Sequence, residues 1–357
     1  AETHIDAAVQ HAQHTPVNVI RQMPGFPEKD EALFRKFVHD TLERIAEEPG
    51  TRIGGDDLGL YITEQIEDHR ANPRDDLTSY LLDEMGELIP GETGVDAAVQ
   101  YAQHIPVNVI RQMLGFPEKD EALFRKFVHD TLERINEEPG SRLCGDDLGE
   151  YIVGQIEDNR ANPRDDLTSY LMDVEIDGGK LTDDMVAGMT ILLLIDGIDT
   201  TWSAIGSSLW HLSQNQQDHQ RMLDDPEVIP FAIEEFLRAY APVTMARLVA
   251  KDNDFHGCPM KKDDWVLLPF PAANRDPKKF EDPDTFIVDR EENRHAAFGL
   301  GIHRCLGSNL ARLELTVAVE EFIRRFTRFE LAGDVRWSVG QIRGPRELPV
   351  RVLDVAR

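Results

Sequence analysis

Cysteine is scarce in this chain: Cys144, Cys258 and Cys305 are the only three among 357 residues. They are too few and too scattered for a disulfide framework, so a reducing cytoplasm is the expected compartment. Positive charge is scarce too. Lys and Arg number 38 against 66 Asp and Glu, a net charge of −28. That balance argues against nucleic acid or an anionic membrane as partner, because a phosphate surface would repel it. Long apolar runs are missing as well. The most apolar stretch, Ile191 to Ile195, meets Asp196 and Asp199 at once, too short and too charged to cross a bilayer. No basic-then-apolar leader opens the sequence, which starts AETHIDAAVQ. With 41% hydrophobic and 29% charged residues, the composition reads as soluble and globular, long enough to bury a sizeable core.

What the chain does contain is a tandem repeat. Residues 5–84 align without a gap on 95–174, an offset of 90, with 14 differences in 80 positions. Gly25 to Ile45 recurs unchanged as Gly115 to Ile135. The period is too long for a common solenoid unit and two copies are too few for an array, so a recent duplication is the simplest account. Each copy reads as helical. DEALFRKFVHDTLERI puts Leu33, Phe34, Phe37, Val38, Leu42 and Ile45 on one stripe. LGLYITEQIEDHRANP is a second helix stopped at Asn72-Pro73, and DDLTSYLLD opens a short third one with Asp75 and Asp76 in its first turn.

Beyond the repeat, TDDMVAGMTILLLIDGIDTTWSAIGSSLWHLSQN predicts one helix of about 30 residues, roughly 45–50 Å, N-capped by Thr182. Gly197 and the Thr200-Thr201 pair predict that its hydrogen-bond ladder opens into a groove or bulge. A helix from Pro230 to Ala241 ends before Pro242. Residues 243–270 read as short strands broken at Gly257-Cys258-Pro259 and Lys262-Asp263-Asp264. Residues 271–301 are irregular, and a last long helix is predicted from Cys305 to Phe326, followed by β-like segments around LPVRVLDV. The fold class is mainly α with a minor β component. We divide the chain into residues 1–90, the first copy, and 91–357, comprising the second copy at 91–180 and a core at 181–357.

The chemistry concentrates in AAFGLGIHRCLGSNLARLELTVAVEEF. Cys305 stands between a glycine-rich loop and an amphipathic helix, where the helix N-terminus and exposed N–H groups lower a thiol pKa. Gly299 and Gly301 permit a tight loop, and Gly307 removes a side chain where a flat ligand would approach. Phe298 is placed to limit water at the sulfur. His303 and Arg304 offer donors to carboxylates at such a ligand's edge. On these residues alone an ordinary buried cysteine remains an even alternative.

As a string, FGLGIHRCLG resembles the haem-binding signature of the cytochromes P-450, especially the soluble bacterial members. The resemblance runs from about Asp96 to the C-terminus, with the second copy and the long helix in the family's order, and implies the cytochrome P-450-like fold. It implies Cys305 as the ligand of the iron in haem b, the thiolate favouring O–O cleavage. It pairs Asp199 and Thr200 as the acid and alcohol that deliver protons to bound dioxygen. Asp196 departs from the pattern, which has Ala or Gly there, and an extra carboxylate so near the iron alters proton delivery or substrate polarity. Glu235 and Arg238 match the family's Glu-x-x-Arg pair, completed by Arg290, with a structural role beneath the haem. Arg247 joins His303 as a propionate donor.

The implied activity is a monooxygenase acting on an apolar small molecule, fed by a separate ferredoxin- or flavodoxin-type redoxin. Arg304, Arg312, Arg324 and Arg325 would form its basic docking patch, or else a solvated helix face. A peroxide-driven peroxygenase and a non-catalytic haem-binding rearranged protein are the alternatives. Before the matching region, family members carry first helices, sheet strands and a substrate loop; here the first copy fills that space, and its unpaired apolar stripe favours a homodimer by exchange.

Overall fold

A computed structural model describes residues 94–132, 146–164, 166–176 and 178–355, together with Asp68, Ala71 and Asn72. Apart from the helix end expected at Asn72, where Ala71 is helical and Asn72 is not, the predictions for the first copy lie outside the described residues, as does Cys144.

After strand β1 (Gly94–Asp96) and a π-helical turn come four helices of the second copy: α1 (His104–Met113), α2 (Glu121–Leu132), α3 (Asp146–Ala161) and α4 (Leu167–Asp173). The predicted stop of the second helix holds at Asn162-Pro163, and α4 is capped by Asp166, whose carboxylate accepts the Ser169 N–H at 2.7 Å. A short hairpin, β2 (Glu175–Ile176) and β3 (Gly179–Lys180), leads into α5 (Asp183–Gln214).

Helix α5 organises the molecule. Thr182 caps it, accepting from the Met185 N–H at 3.3 Å. It runs unbroken for 32 residues, so the expected bulge does not form. Thr200 instead donates its hydroxyl to the Asp196 carbonyl one turn back at 2.7 Å. Gly197 has another use: a Cβ there would stand 2.5 Å from Ile110 Cδ1 of α1, so glycine lets the two helices approach. Val186, Leu194 and Ile198 of α5 share an apolar cluster with α1, α2 and α3 of the second copy. Trp202, Ile205, Leu209 and Leu212 belong to another, with the C-terminal helices and sheet. Taken whole, α5 is long and apolar enough to cross a membrane, alone in this among the described residues; here its apolar length is shared between those two clusters.

Next come α6 (Gln216–Asp224) and α7 (Ile229–Ala239), which ends two residues earlier than predicted because Tyr240 leaves helical geometry before Pro242. Strands β4 (Thr244–Leu248) and β7 (Trp265–Pro269) pair antiparallel around a smaller hairpin of β5 (Asn253–Phe255) and β6 (Cys258–Met260). That hairpin turns at His256-Gly257, both at positive φ, so Cys258 and Pro259 lie within a strand rather than in the predicted break. After α8 (Phe270–Ala273) the chain stays mostly irregular to Leu300. Helix α9 (Ser308–Arg325) starts three residues later than predicted, leaving Cys305, Leu306 and Gly307 in the preceding turn. Strands β8 (Arg328–Leu331), β9 (Arg336–Trp337), β10 (Pro345–Glu347) and β11 (Pro349–Asp354) close the chain; β11 lies between β1 and β8 in a three-stranded sheet.

Candidate functional site

The loop bearing Cys305 closes on itself. The Cys305 N–H donates to the Phe298 carbonyl at 2.8 Å, and Gly299 N–H to the Ala296 carbonyl at 2.9 Å. Gly299 and Gly301 sit at φ +71° and +70°, a left-handed backbone that a side chain would strain. Cys305 reaches solvent, and a Cβ on Gly307 would touch its sulfur at 4.0 Å. Contrary to expectation, the thiol is pushed up. Surrounding protein disfavours the thiolate first; the Gly307 N–H pulls the other way, Asp196 adds to the rise, and Arg312 and Arg304 oppose it. The helix that would have lowered it begins only at Ser308. Leu306, next in the chain, is 62% exposed.

Beneath the loop, the predicted Glu235, Arg238 and Arg290 meet. Arg238 straddles Glu235 with bonds of 2.7 and 2.8 Å, and Arg290 Nε reaches Glu235 Oε2 at 3.0 Å. Arg238 spends its remaining donors on the carbonyls of Asn274, Pro283 and Thr285. All three residues are buried, and such a cluster is tolerable in the interior only when this fully bonded.

Sequence reasoning missed several members. Asn293 donates to Glu235 Oε2 at 3.0 Å. Buried Asn274 accepts the Ala296 N–H at 2.6 Å, tying the cluster to the chain entering the Cys305 loop. Glu234 faces α9, where Arg312 Nη2 reaches it at 3.0 Å, and also takes a 3.0 Å contact from His295 Nε2. Burial would raise the Glu234 carboxyl, yet Arg312 and His295 hold it well below the usual carboxylate range. The Glu234-Glu235 doublet was the available signal, one carboxylate for each side of α7.

Phe298 lies under the Arg312 guanidinium, 4.6 Å from it. Arg304 is brought down to about 10, by burial first and then by Arg312. Of the expected basic patch, Arg312 is engaged by Glu234 and Arg324 by Glu320. Arg304 and Arg294 line a recess with His295, Phe298 and Leu300.

Across from Cys305 stands α5. Asp196 is exposed there and Thr200 partly so, with exposed Met189 and Leu192 on the same helix. Asp196 is raised by partial burial. Asp199 is placed differently. It is 1% exposed and ion-paired at 2.6 Å with Arg346 of β10, itself buried, stacked 4.3 Å from Trp202 and bonded to Ser203. Arg247 on β4 is exposed and gives one N–H to the Ala246 carbonyl. His303 is exposed, with no hydrogen-bond partner among the described residues.

The donor set fits a haem. An accessible thiol has a bare glycine beside it, apolar side chains flank the cleft, and two exposed basic residues remain for propionates. A planar, largely apolar, doubly anionic iron porphyrin needs those three things. Among the described residues no His/Cys/Asp/Glu cluster offers a bare-metal site instead.

Residues 93–337 match the family model described as cytochrome P-450. The chain is 35% identical over 283 residues to the polyketide biosynthesis cytochrome P-450 PksS of Bacillus subtilis, covering 77% of this chain and 68% of that protein. It is 34% identical over 259 residues to a steroid C26-monooxygenase of Mycolicibacterium smegmatis, covering 70% and 65%. The chain thus spans about two thirds of the length of these relatives. The solved structure of PksS superposes with a TM-score of 0.70 at 31% identity, over 95% of this chain and 84% of that one. The enzyme CxnD, for C–S bond formation in chuangxinmycin biosynthesis, gives 0.73 at 29% identity, over 85% and 76%.

Proposed function

From the premise that the chain belongs to the cytochrome P-450 family, we propose that it is a haem-thiolate monooxygenase, oxidising a small molecule with an apolar body. The observation that carries this reading is the accessible Cys305, set over a buried, fully bonded ion cluster and facing the open side of α5. Bound haem, taken as haem b, supplies dioxygen activation and oxygen transfer. The chain's own residues do the rest.

Cys305 supplies the ligand, and the Gly307 N–H steadies charge on its sulfur. Arg247, His303 and Arg304 receive the propionates. Phe298 and Gly299 shape the floor. Thr200 offers a hydroxyl to the cleft, while Asp199, drawn from its pair with Arg346, is the proton source behind it. Glu235, Arg238 and Arg290 hold the loop in register through Asn274.

A ferredoxin- or flavodoxin-type donor delivers electrons from the thiolate side, around the recess lined by Arg304 and Arg294. The compartment is the cytoplasm. Residues 91–357 are assigned to the haem unit and residues 1–90 to the first copy of the duplicated block, through which a homodimer is proposed.

The decisive measurement is the carbon monoxide difference spectrum of the reduced protein. Wild type should show a thiolate-type Soret band, Cys305→Ala should lose it, and Cys144→Ala and Cys258→Ala should keep it. A normal band in Cys305→Ala would sink the assignment. Product formed with a surrogate redoxin and NADPH supports the monooxygenase; product with peroxide alone makes it a peroxygenase. None with either makes it a haem-binding protein without catalysis.

A further inference from the structure

Asp196 is the one charged residue exposed on α5 between Met185 and Thr200. It lies on one stripe of α5 with Met185, Met189 and Leu192, spaced at helical intervals and exposed by 50%, 37% and 57%. Asp196 itself stands near enough to Cys305 for its charge to push up the thiol. Partial burial already lifts its own carboxyl, with no basic side chain acting on it. No Lys, Arg or His pairs with it among the described residues, whereas Asp199, three positions on, has Arg346 at 2.6 Å. Thr200 bonds the Asp196 backbone carbonyl, leaving the carboxylate itself uncommitted.

Filling this cleft with a neutral apolar substrate would strip water from an unpaired carboxylate and offer nothing in return, a costly arrangement. A substrate with a positive centre would remove that cost and gain from the low-dielectric surroundings. Resting on the haem-thiolate reading above, we infer that Asp196 determines specificity, selecting a substrate whose apolar body carries a cationic nitrogen seated against this carboxylate. The Met185–Leu192 stripe receives the apolar body, and the carboxylate fixes which end approaches the reacting centre.

The test uses the haem-loaded protein and a matched pair of probes: a phenylalkyl trimethylammonium ion and its tert-butyl carbon isostere. A quaternary nitrogen has no lone pair, so it cannot ligate iron, and the two probes differ only in charge. Dissociation constants are read by isothermal titration and by the shift of the Soret band. Wild type should prefer the ammonium by about tenfold or more. Asp196→Asn, nearly equal in size, should abolish the preference, and Asp196→Glu should restore most of it. Equal affinities in wild type, or a preference surviving Asp196→Asn, would overturn the inference. Loss of the thiolate carbon monoxide band in wild type would instead overturn the haem-thiolate reading beneath it.

Discussion

The floor under Cys305 and the cleft above it are built on opposite terms. In the floor, Glu235 is fully buried, and two guanidiniums and Asn293 share its oxygens. The spare Arg238 N–H groups go to backbone carbonyls. In the cleft, Asp196 is unpaired, His303 has no partner among the described residues, and Leu192, Leu300 and Leu306 are more than half exposed. The charges of the floor are answered within the protein; the Asp196 charge in the cleft is not. The proposed haem site would gain from that asymmetry: positional precision comes from the closed side, and binding energy stays in reserve on the open one.

The sharpest way to break the comparison is to open the floor. Glu235→Gln leaves Arg238 and Arg290 buried without a counter-charge, and should cost about 3–5 kcal/mol of stability in urea denaturation, with haem retention falling alongside. A cost near zero would show that the floor is less closed than its bonding implies.

A milder break is acid. His219 is buried against Phe329, and burial brings it down to about 4. Unfolded, it titrates near 6.5. Between those values the unfolded chain binds more protons, so stability should fall as pH drops from about 6.5 toward 4, by on the order of 2 kcal/mol. His219→Phe should flatten that part of the pH–stability curve; an unchanged slope would remove His219 as its cause.

The smallest effect on stability is expected on the open side. Thr200→Ala removes one hydroxyl bond to a backbone carbonyl and should change stability by only about 0.5 kcal/mol. Yet it should divert reducing equivalents from product into hydrogen peroxide. Unchanged product per reducing equivalent would contradict the role proposed for Thr200.

Much of this was legible locally. The 3.6-residue periodicity and caps gave α3, α4 and α5 nearly to the residue, and FGLGIHRCLG marked the loop with Cys305. The errors share a cause. Cys305-Leu306-Gly307 suits either a turn or a first helical turn, so local signals start the following helix three residues early. Gly197 and the threonines suggest a bulge in α5, but close packing against Ile110 gives the glycine another purpose. Asn274 and Glu234 were invisible because a lone Asn or Glu has no periodic or motif signal; only their partners across the fold give them meaning.

By itself the sequence determined which segments are helices, where Cys305 stands, and that Glu235, Arg238 and Arg290 were worth joining. Those facts depend on near neighbours: backbone preference, apolar spacing, and glycines that permit one tight loop. The tertiary structure decided how the charges are answered. It brought Arg290 onto Glu235 across 55 residues and paired Asp199 with Arg346 while leaving Asp196 open to the cleft. It also surrounded Cys305 with enough protein to raise a thiol that its place in the chain suggested would be lowered. The energy of a charge is set by whatever lies within a few ångströms of it, and only folding decides what that is.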